Sequence, residues 1–555
     1  MSPSNDEKMR TFTNLSQLEG TGLERRSFMR RLVGGGAAVT LGSSLAGCTG
    51  GDGGMPNELE LARAGDGDNL DPHDTTMAYS SYVMNLIYDP LMVLDFDNEP
   101  SPAVGNGWEI NDDETEWTIE INDGIEFHNG DPLTADDVVF TFERFMDMSP
   151  TMWAAGTFYD VEQTGDMEVT FYFEEPYAPW EVHTTSSYFG IIPRGPVEDD
   201  PDEFAVNPIG SGPYELDEWV QDDRVVLERN EDWNTPTFPG IEADEPPEPE
   251  RLVIRTIPED TPRIQELQHG DVDMIIDDVP SREVDELESD DEIEVDSSLS
   301  NFFNYVMIHN ELAPTDELEV RQAMAYAIDR DQIVNDIYHG LAEENHAPLS
   351  ENLPWWAGDE LQERGLGYEY DPDRARELLE EAGWEDTGGD YRERDGETLS
   401  IDMVGANAPS ENLQTSEEIM SMLTDVGFDV DLTPYESTTA YAIMEDGETH
   451  AMFAGLGWFE TSIMEFLLHS DNIPTTNRSR FDDPEVDDLL DQAAQSLDEE
   501  EREELYLEAQ VEAMEQVACI PIQTPYDHVA MRQGVSGFRI QPQTLQHVFH
   551  DVTIE

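Results

Sequence analysis

Thr115 to Asn122 and Met167 to Glu174 alternate apolar and polar residues with the period of two expected of half-buried antiparallel strands. Between them, TADDVVFTFERF changes to a helical period. Val138, Phe142 and Phe145 fall on one face, and Thr134 with Asp137 three residues later forms a capping box. Further on, Leu252 to Ile257 reads as a strand, Thr261 to His269 as a helix closed by Gly270, and Val272 to Ile276 as the next strand, which together predict a βαβ unit. Two strong helices follow. Glu317 to His339 carries Val320, Ala323, Met324 and Ala327 on one stripe and stops at Gly340. Asp371-Pro372 opens the other, with Ala375, Leu378, Leu379 and Ala382 inward and Gly383 as its stop. Leu399 to Val404 is strand-like again, and the acidic, Pro-rich stretch 242–250 reads as a surface loop. The pattern is that of an α/β protein without an internal repeat.

The first 47 residues follow no such pattern. ERRSFMRR at 24–31 precedes the apolar, Gly- and Ala-rich stretch LVGGGAAVTLGSSLAG, which is too short and too rich in Gly for a good membrane span and has the layout of an export signal. Arg25-Arg26 followed by Ser27, Phe28 and Met29 resembles a twin-arginine signal, the route taken by folded proteins. Leu45-Ala46-Gly47-Cys48 resembles a lipobox, with Cys48 lipidated as the new first residue. Residues 48–58 then read as a flexible tether. With Cys48 lipidated, Cys519 has no disulfide partner, and its apolar surroundings read as core.

Charge narrows the function classes. The 555 residues include 27 Lys plus Arg against 126 Asp plus Glu, a net charge of −99, and loss of residues 1–47 leaves about −101. A surface of that sign does not bind a phosphate backbone, so no nucleic-acid partner is expected. Lys8 is the only lysine, which removes the Walker-type phosphate loop and Schiff-base chemistry. Dispersed acids with almost no lysine suit molar salt, where a Debye length of about 3 Å screens self-repulsion.

Catalytic and metal-ligating patterns are absent: there is no HExxH, CxxC or GxSxG, and the 12 histidines show no metal-ligand spacing. Among 126 carboxylates, paired acids arise by chance. His128, beside Asn129 and Gly130, reads as a turn residue, and Asn477-Arg478-Ser479 is a possible glycan acceptor. No enzyme, cofactor or metal centre is expected, although a membrane-tethered hydrolase and a purely structural envelope protein stay as remote alternatives.

From about Leu59 to Glu555 the order of motifs resembles the large extracytoplasmic solute-binding proteins of peptide-type ABC importers, the dipeptide, oligopeptide and nickel-binding family, here as a lipoprotein of haloarchaeal type. The motifs are IEFHNGDPLTADDVVFTFER (125–144), NPIGSGPYEL (207–216), RNEDW (229–233), RIQELQHGDVDMI (263–275), VRQAMAYAIDRDQIV (320–334), YDPDRARELLEEAGW (370–384) and VSGFRI (535–540). Most read as structural, with Thr134 a cap, Gly212-Pro213 a turn and Arg321 a hydrogen-bond donor at the core edge. The resemblance implies two α/β lobes of the periplasmic-binding-protein type and an extra subdomain, closing over a ligand by a hinge. Lobe I is expected at 59–88, 216–301 and 524–555, the extra subdomain at 89–215 and lobe II at 302–523. It also implies a monomer on the outer face of the cell membrane that hands a solute, a peptide before a metal chelate, sugar or opine, to a permease and its ATPase.

The family's Trp-containing loop corresponds to Gly455 to Glu465, GLGWFETSIME, and implies ligand contacts at Trp458 and Phe459, the latter either against ligand or in the core. The aspartate that pairs with a peptide's amino terminus is replaced by Thr461, and Glu460, one residue earlier, either takes its part or is a solvated glutamate. Trp153, Phe303, Trp355 and Thr76 lie in segments expected to face the cleft.

Overall fold

The period-two segments pair as their alternation requires. In the computed structural model, Glu116–Ile121 and Glu168–Phe173 lie side by side and antiparallel, flanked by Gly105–Ile110 and Phe158–Gly165 in a four-stranded sheet. The helix Ala135–Met148 covers it with Phe142 and Phe145, and the expected capping box is present at Thr134 and Asp137. The structure describes residues 58–554 apart from 97, 239, 243–245, 278, 407–409 and 542–545. Arg25, Arg26, Cys48 and the tether lie outside the described residues, as does part of the acidic loop.

The largest sheet among the described residues has 12 strands, and both halves of the chain contribute to it. The expected βαβ unit is there, with Arg251–Thr256, the helix Asp260–His269 and Met274–Ile275. Its two strands are not neighbours, because Glu58–Arg63 inserts between them, parallel to both. The 14-residue strand Cys519–Arg532 is the common partner. Tyr526 to Arg532 pair with Ile293–Leu299, whereas Cys519 to Gln523 pair with Phe302–Ile308. The chain therefore crosses from one part of the sheet to the other at two adjacent places, 299–302 and 523–526. Ser300 N–H donates to the Pro525 carbonyl at 2.9 Å and ties the crossings together.

The stretch from Glu317 to His339 is not one helix. It forms Leu318–Ala327 and Arg330–Asp336, because Ile328 is extended and Asp329 starts a new helix by accepting from Gln332 N–H at 3.0 Å. Arg321 donates to the carbonyls of Thr315, Asp316 and Gln516, as expected of a core-edge donor. Asp200, Asp371, Asp483 and Asp498 cap helices in the same way as Asp329. Part of the acid content thus satisfies backbone donors at helix starts, where the helix dipole favours negative charge. Asn477 is fully buried and donates to the carbonyls of Leu468, His469 and Phe481, so the glycan reading fails in the folded chain. Cys519 is also buried, and burial pushes its thiol up to about 12.

Two motifs meet at one carboxylate. Asp89 accepts from Ser211 Oγ at 3.0 Å, Thr235 Oγ1 at 2.6 Å and Trp233 Nε1 at 3.4 Å, which joins NPIGSGPYEL to the segment after RNEDW. Burial raises its pKa to about 6 despite these donors. His128 closes the same turn, with Nε2 donating to the Gly212 carbonyl and Nδ1 accepting from Gly210 N–H. Gly210 is required there because a Cβ would stand 1.9 Å from the Ile87 carbonyl oxygen. Asp89→Ala would leave three buried donors without an acceptor and is expected to cost about 3 kcal/mol, read as a lower midpoint of thermal unfolding in molar salt.

Candidate functional site

A cavity of about 180 Å³ opens beside the first crossing, where Asn301 and Phe302 form part of its wall. The rest comes from distant segments: Thr76 to Asn85 at the start of the first helix, Ser186 to Tyr188, Gly457 to Phe459, and Gln546. Its hydroxyls belong to Thr76, Ser81, Tyr82, Ser186, Ser187 and Tyr188, and its amides to Asn85, Asn301 and Gln546. Phe302, Trp458 and Phe459 supply rings. Among the described residues no Asp, Glu, Arg, Lys or His lines it, in a chain with 126 acids. Such a wall offers neutral donors, acceptors and apolar faces, the groups that engage a polar solute by hydrogen bonding and stacking.

Local packing explains how the wall is held. Trp458 stacks on Phe459 with centroids 4.2 Å apart and lies parallel to Tyr188 at 6.2 Å and 7°. Trp153 packs against Trp458 at 4.8 Å. Ser81 Oγ and Ser187 Oγ are 2.8 Å apart, and Gln546 Nε2 donates to Asn85 Oδ1 at 3.2 Å. Phe302 is 43% exposed and pairs across the ladder with Gly457, where a Cβ would stand 2.5 Å from its ring. Glycine at 457 thus lets the ring lie across the neighbouring strand.

The seven residues expected at the cleft separate into three groups. Thr76, Trp458 and Phe459 line the cavity. Trp153 adjoins it through Trp458 only. Phe303, Trp355 and Glu460 are not among its lining residues. Phe303 is buried and stacked on Tyr305 at 5.0 Å, because successive strand residues face opposite sides and Phe302 takes the cavity side. Trp355 stacks on Tyr506 at 5.6 Å beneath the Arg502 guanidinium. Glu460 is buried, with Oε2 accepting from Ser462 N–H at 2.5 Å inside its own turn. Thr461 likewise turns inward, donating to the Pro354 carbonyl at 2.8 Å. Tyr82, Asn85, Tyr188, Phe302 and Gln546 also line the cavity, and strand parity is the sequence signal that places Phe302 there.

Beneath the Trp458 turn lies a buried titratable cluster. His183 Nδ1 donates to the Ala154 carbonyl at 2.8 Å, which leaves Nε2 to accept from Ser462 Oγ at 3.2 Å. Burial lowers the His183 pKa, so its 3.9 Å approach to Glu460 is a contact with a neutral ring rather than an ion pair. Glu465 has Oε1 sealed from solvent without a hydrogen-bond partner, and burial, then Glu460, then Asp491 raise its pKa to about 8. Among the described residues no group of His, Cys, Asp and Glu could hold a metal ion, and no helix is long and apolar enough to cross a membrane.

The sequence matches the family model for bacterial extracellular solute-binding proteins, family 5 Middle, over residues 99–472. The chain belongs to this family. This solute-binding protein is 26% identical over 486 residues to Heme-binding protein A of Haemophilus influenzae, an alignment covering 82% of this chain and 84% of the relative. The solved structure of the periplasmic binding protein DppA from Helicobacter pylori in complex with peptide STSA is similar over 90% of this chain and 98% of that one, with TM-score 0.74 and 25% identity. NikA from Brucella suis in complex with Fe(III)-EDTA shares the fold, with TM-score 0.79, 21% identity and coverage of 90% and 100%. The mixed α/β architecture is thus that of the large periplasmic binding proteins.

Proposed function

We propose that this solute-binding protein captures a peptide outside the cell membrane and delivers it to the permease and ATPase of an ABC importer, making and breaking no bond itself. The observation that carries the reading is the uncharged cavity wall, whose amides, hydroxyls and rings match the repeating amide groups and side chains of a short peptide. In this account 59–88, 216–301 and 524–555 form one lobe, 89–215 the extra subdomain and 302–523 the other lobe. The cavity then draws residues from all three, so a ligand there bridges them. The crossings at 299–302 and 523–526 serve as the hinge, and the ligand raises the population of the closed state that the permease recognises. A non-peptide solute such as a chelate, sugar or opine is the second reading, favoured by Thr461 in place of the family's aspartate and by relatives whose names carry heme and whose complexes hold Fe(III)-EDTA.

Mass spectrometry of small molecules released on denaturing the purified protein is expected to find peptide, and Trp458→Ala, which removes the central ring of the wall, is expected to bind that peptide about 30-fold more weakly. A non-peptide solute released in equimolar amount would replace the first reading by the second.

Export through the twin-arginine route and lipidation of Cys48 place the protein, as a monomer, on the outer membrane face and raise its effective concentration at the permease. Cys48→Ser is expected to move it from the membrane fraction into the medium, as seen by immunoblotting. Retention of the variant on membranes at the wild-type level would exclude the lipid as its anchor.

A further inference from the structure

A second cavity, of about 250 Å³, shares no lining residue with the neutral one. Its walls carry the rings of Tyr305, Tyr441 and Phe466 and the apolar side chains of Met307 and Leu456. Phe466 packs against Trp153 at 5.6 Å and Trp153 against Trp458 at 4.8 Å, so a row of aromatic rings runs from one cavity to the other. The second cavity has what the first lacks, a cation. Arg478 lines it, and among the described residues no Asp or Glu does.

Buried arginines elsewhere in this chain donate to backbone carbonyls, as Arg321, Arg330 and Arg392 do. Among the described residues Arg478 finds no such acceptor. Its side chain is 19% exposed, and Nε is sealed from solvent without a hydrogen-bond partner. The carboxylate paired with it, Glu445, stands 3.7 Å away, too far for a hydrogen bond, and is itself 39% exposed, so water and salt weaken the pair. The Tyr441 ring covers the guanidinium at 5.2 Å, a cation–π contact that supplies no acceptor in the plane of its donors.

Thr476 lines the same cavity, and its Oγ1 is likewise buried without a partner among the described residues. Donors left unused in this way cost free energy unless something accepts from them. A carboxylate accepts from a guanidinium fork and from a hydroxyl at once. The volume far exceeds the roughly 30 Å³ share of one water, and the remaining wall is apolar and ring-lined, so the carboxylate belongs to a molecule with a flat hydrophobic body.

We propose that this cavity is a second binding site, which takes a small aromatic carboxylate with its charge on Arg478 and Thr476 and its ring among Tyr305, Tyr441 and Phe466. The site stands whatever solute the neutral cavity takes, because the two share no residue. Its occupant would press on Phe466 and, through Trp153, on the Trp458 ring of the first cavity.

Titration calorimetry in molar KCl at pH 7 tests this with three probes: phenylacetate, the neutral isostere phenylacetamide, and acetate, which has the charge without the ring. Phenylacetate is expected to bind, and the other two about tenfold or more weakly. In Arg478→Gln, phenylacetate is expected to fall to the level of phenylacetamide, while phenylacetamide binds as it does to the wild type. Thr476→Val, which removes only the hydroxyl, is expected to weaken phenylacetate several-fold. Equal binding of phenylacetate and phenylacetamide to the unmodified protein, or no binding of phenylacetate, would overturn the proposal and needs no variant to fold. A folded Arg478→Gln that keeps the full preference for phenylacetate would place the carboxylate elsewhere and overturn it as well.

Discussion

Transfer of the mature protein from molar KCl to about 0.01 M buffer is expected to abolish its fold. The Debye length grows from about 3 Å to about 30 Å over that range, so carboxylates that ignore one another in brine begin to repel across the whole molecule. The charges that could offset them are few, with 27 basic against 126 acidic residues. Several arginines already serve two acids each: Arg224 pairs with Glu218 and Asp223, and Arg374 with Glu377 and Glu381. Such exposed pairs contribute little individually, and they cannot neutralise the excess. Far-ultraviolet circular dichroism across a KCl series is expected to show cooperative loss of helix signal as salt falls. A protein that keeps its spectrum and its melting transition in dilute buffer would show that the charge is not an adaptation to salt.

The stability that Glu465 contributes in molar salt is further expected to fall as pH rises from about 5 to about 8. In the folded protein it keeps its proton up to about pH 8, whereas the ordinary value for the exposed group is 4.5. At this group the native state therefore holds one proton more than the unfolded chain between those limits. Stability from this group is fully present below about 4.5 and is lost as pH rises toward 8, a change of roughly 4 to 5 kcal/mol. The cause is local: Oε1 is sealed from water, and Glu460 and Asp491 repel the charged form. Burial lowers the His183 pKa and so weakens any relief it gives. Glu465→Gln mimics the protonated acid, so the melting temperature of the variant is expected to gain on that of the wild type as pH rises from about 5 to about 8. Parallel slopes for variant and wild type would assign the dependence to other groups.

Local signals in the sequence translated well into structure. The capping box at Thr134, the Gly270 stop and the Asp371 cap are short-range devices, and each appears where its residues stand. The helix break at Ile328 was equally local, since Asp329 followed by Gln332 is a cap signature, but the apolar stripe running through it concealed the break. The order of strands was not legible. Glu58–Arg63 enters between Arg251–Thr256 and Met274–Ile275 from nearly 190 residues away, and no local period encodes such pairing. The site shows the same division. The Trp458 loop could be located by its motif, yet the inward turn of Glu460 depends on a hydrogen bond to Ser462 N–H and on packing around His183. Tyr82, Tyr188 and Gln546 become neighbours only through the tertiary fold.

The central claim is that a solute occupies the neutral cavity beside the crossings. Thermal unfolding in molar KCl against a broad library of short peptides and small polar solutes tests it most directly. A ligand present at about 100 times its Kd contributes about 2.7 kcal/mol, which for a chain of this size raises the melting temperature by about 2 to 3 °C. At least one short peptide is expected to produce that shift in the wild type and to lose it in Trp458→Ala. A folded protein whose melting temperature no member of the library moves would contradict the claim.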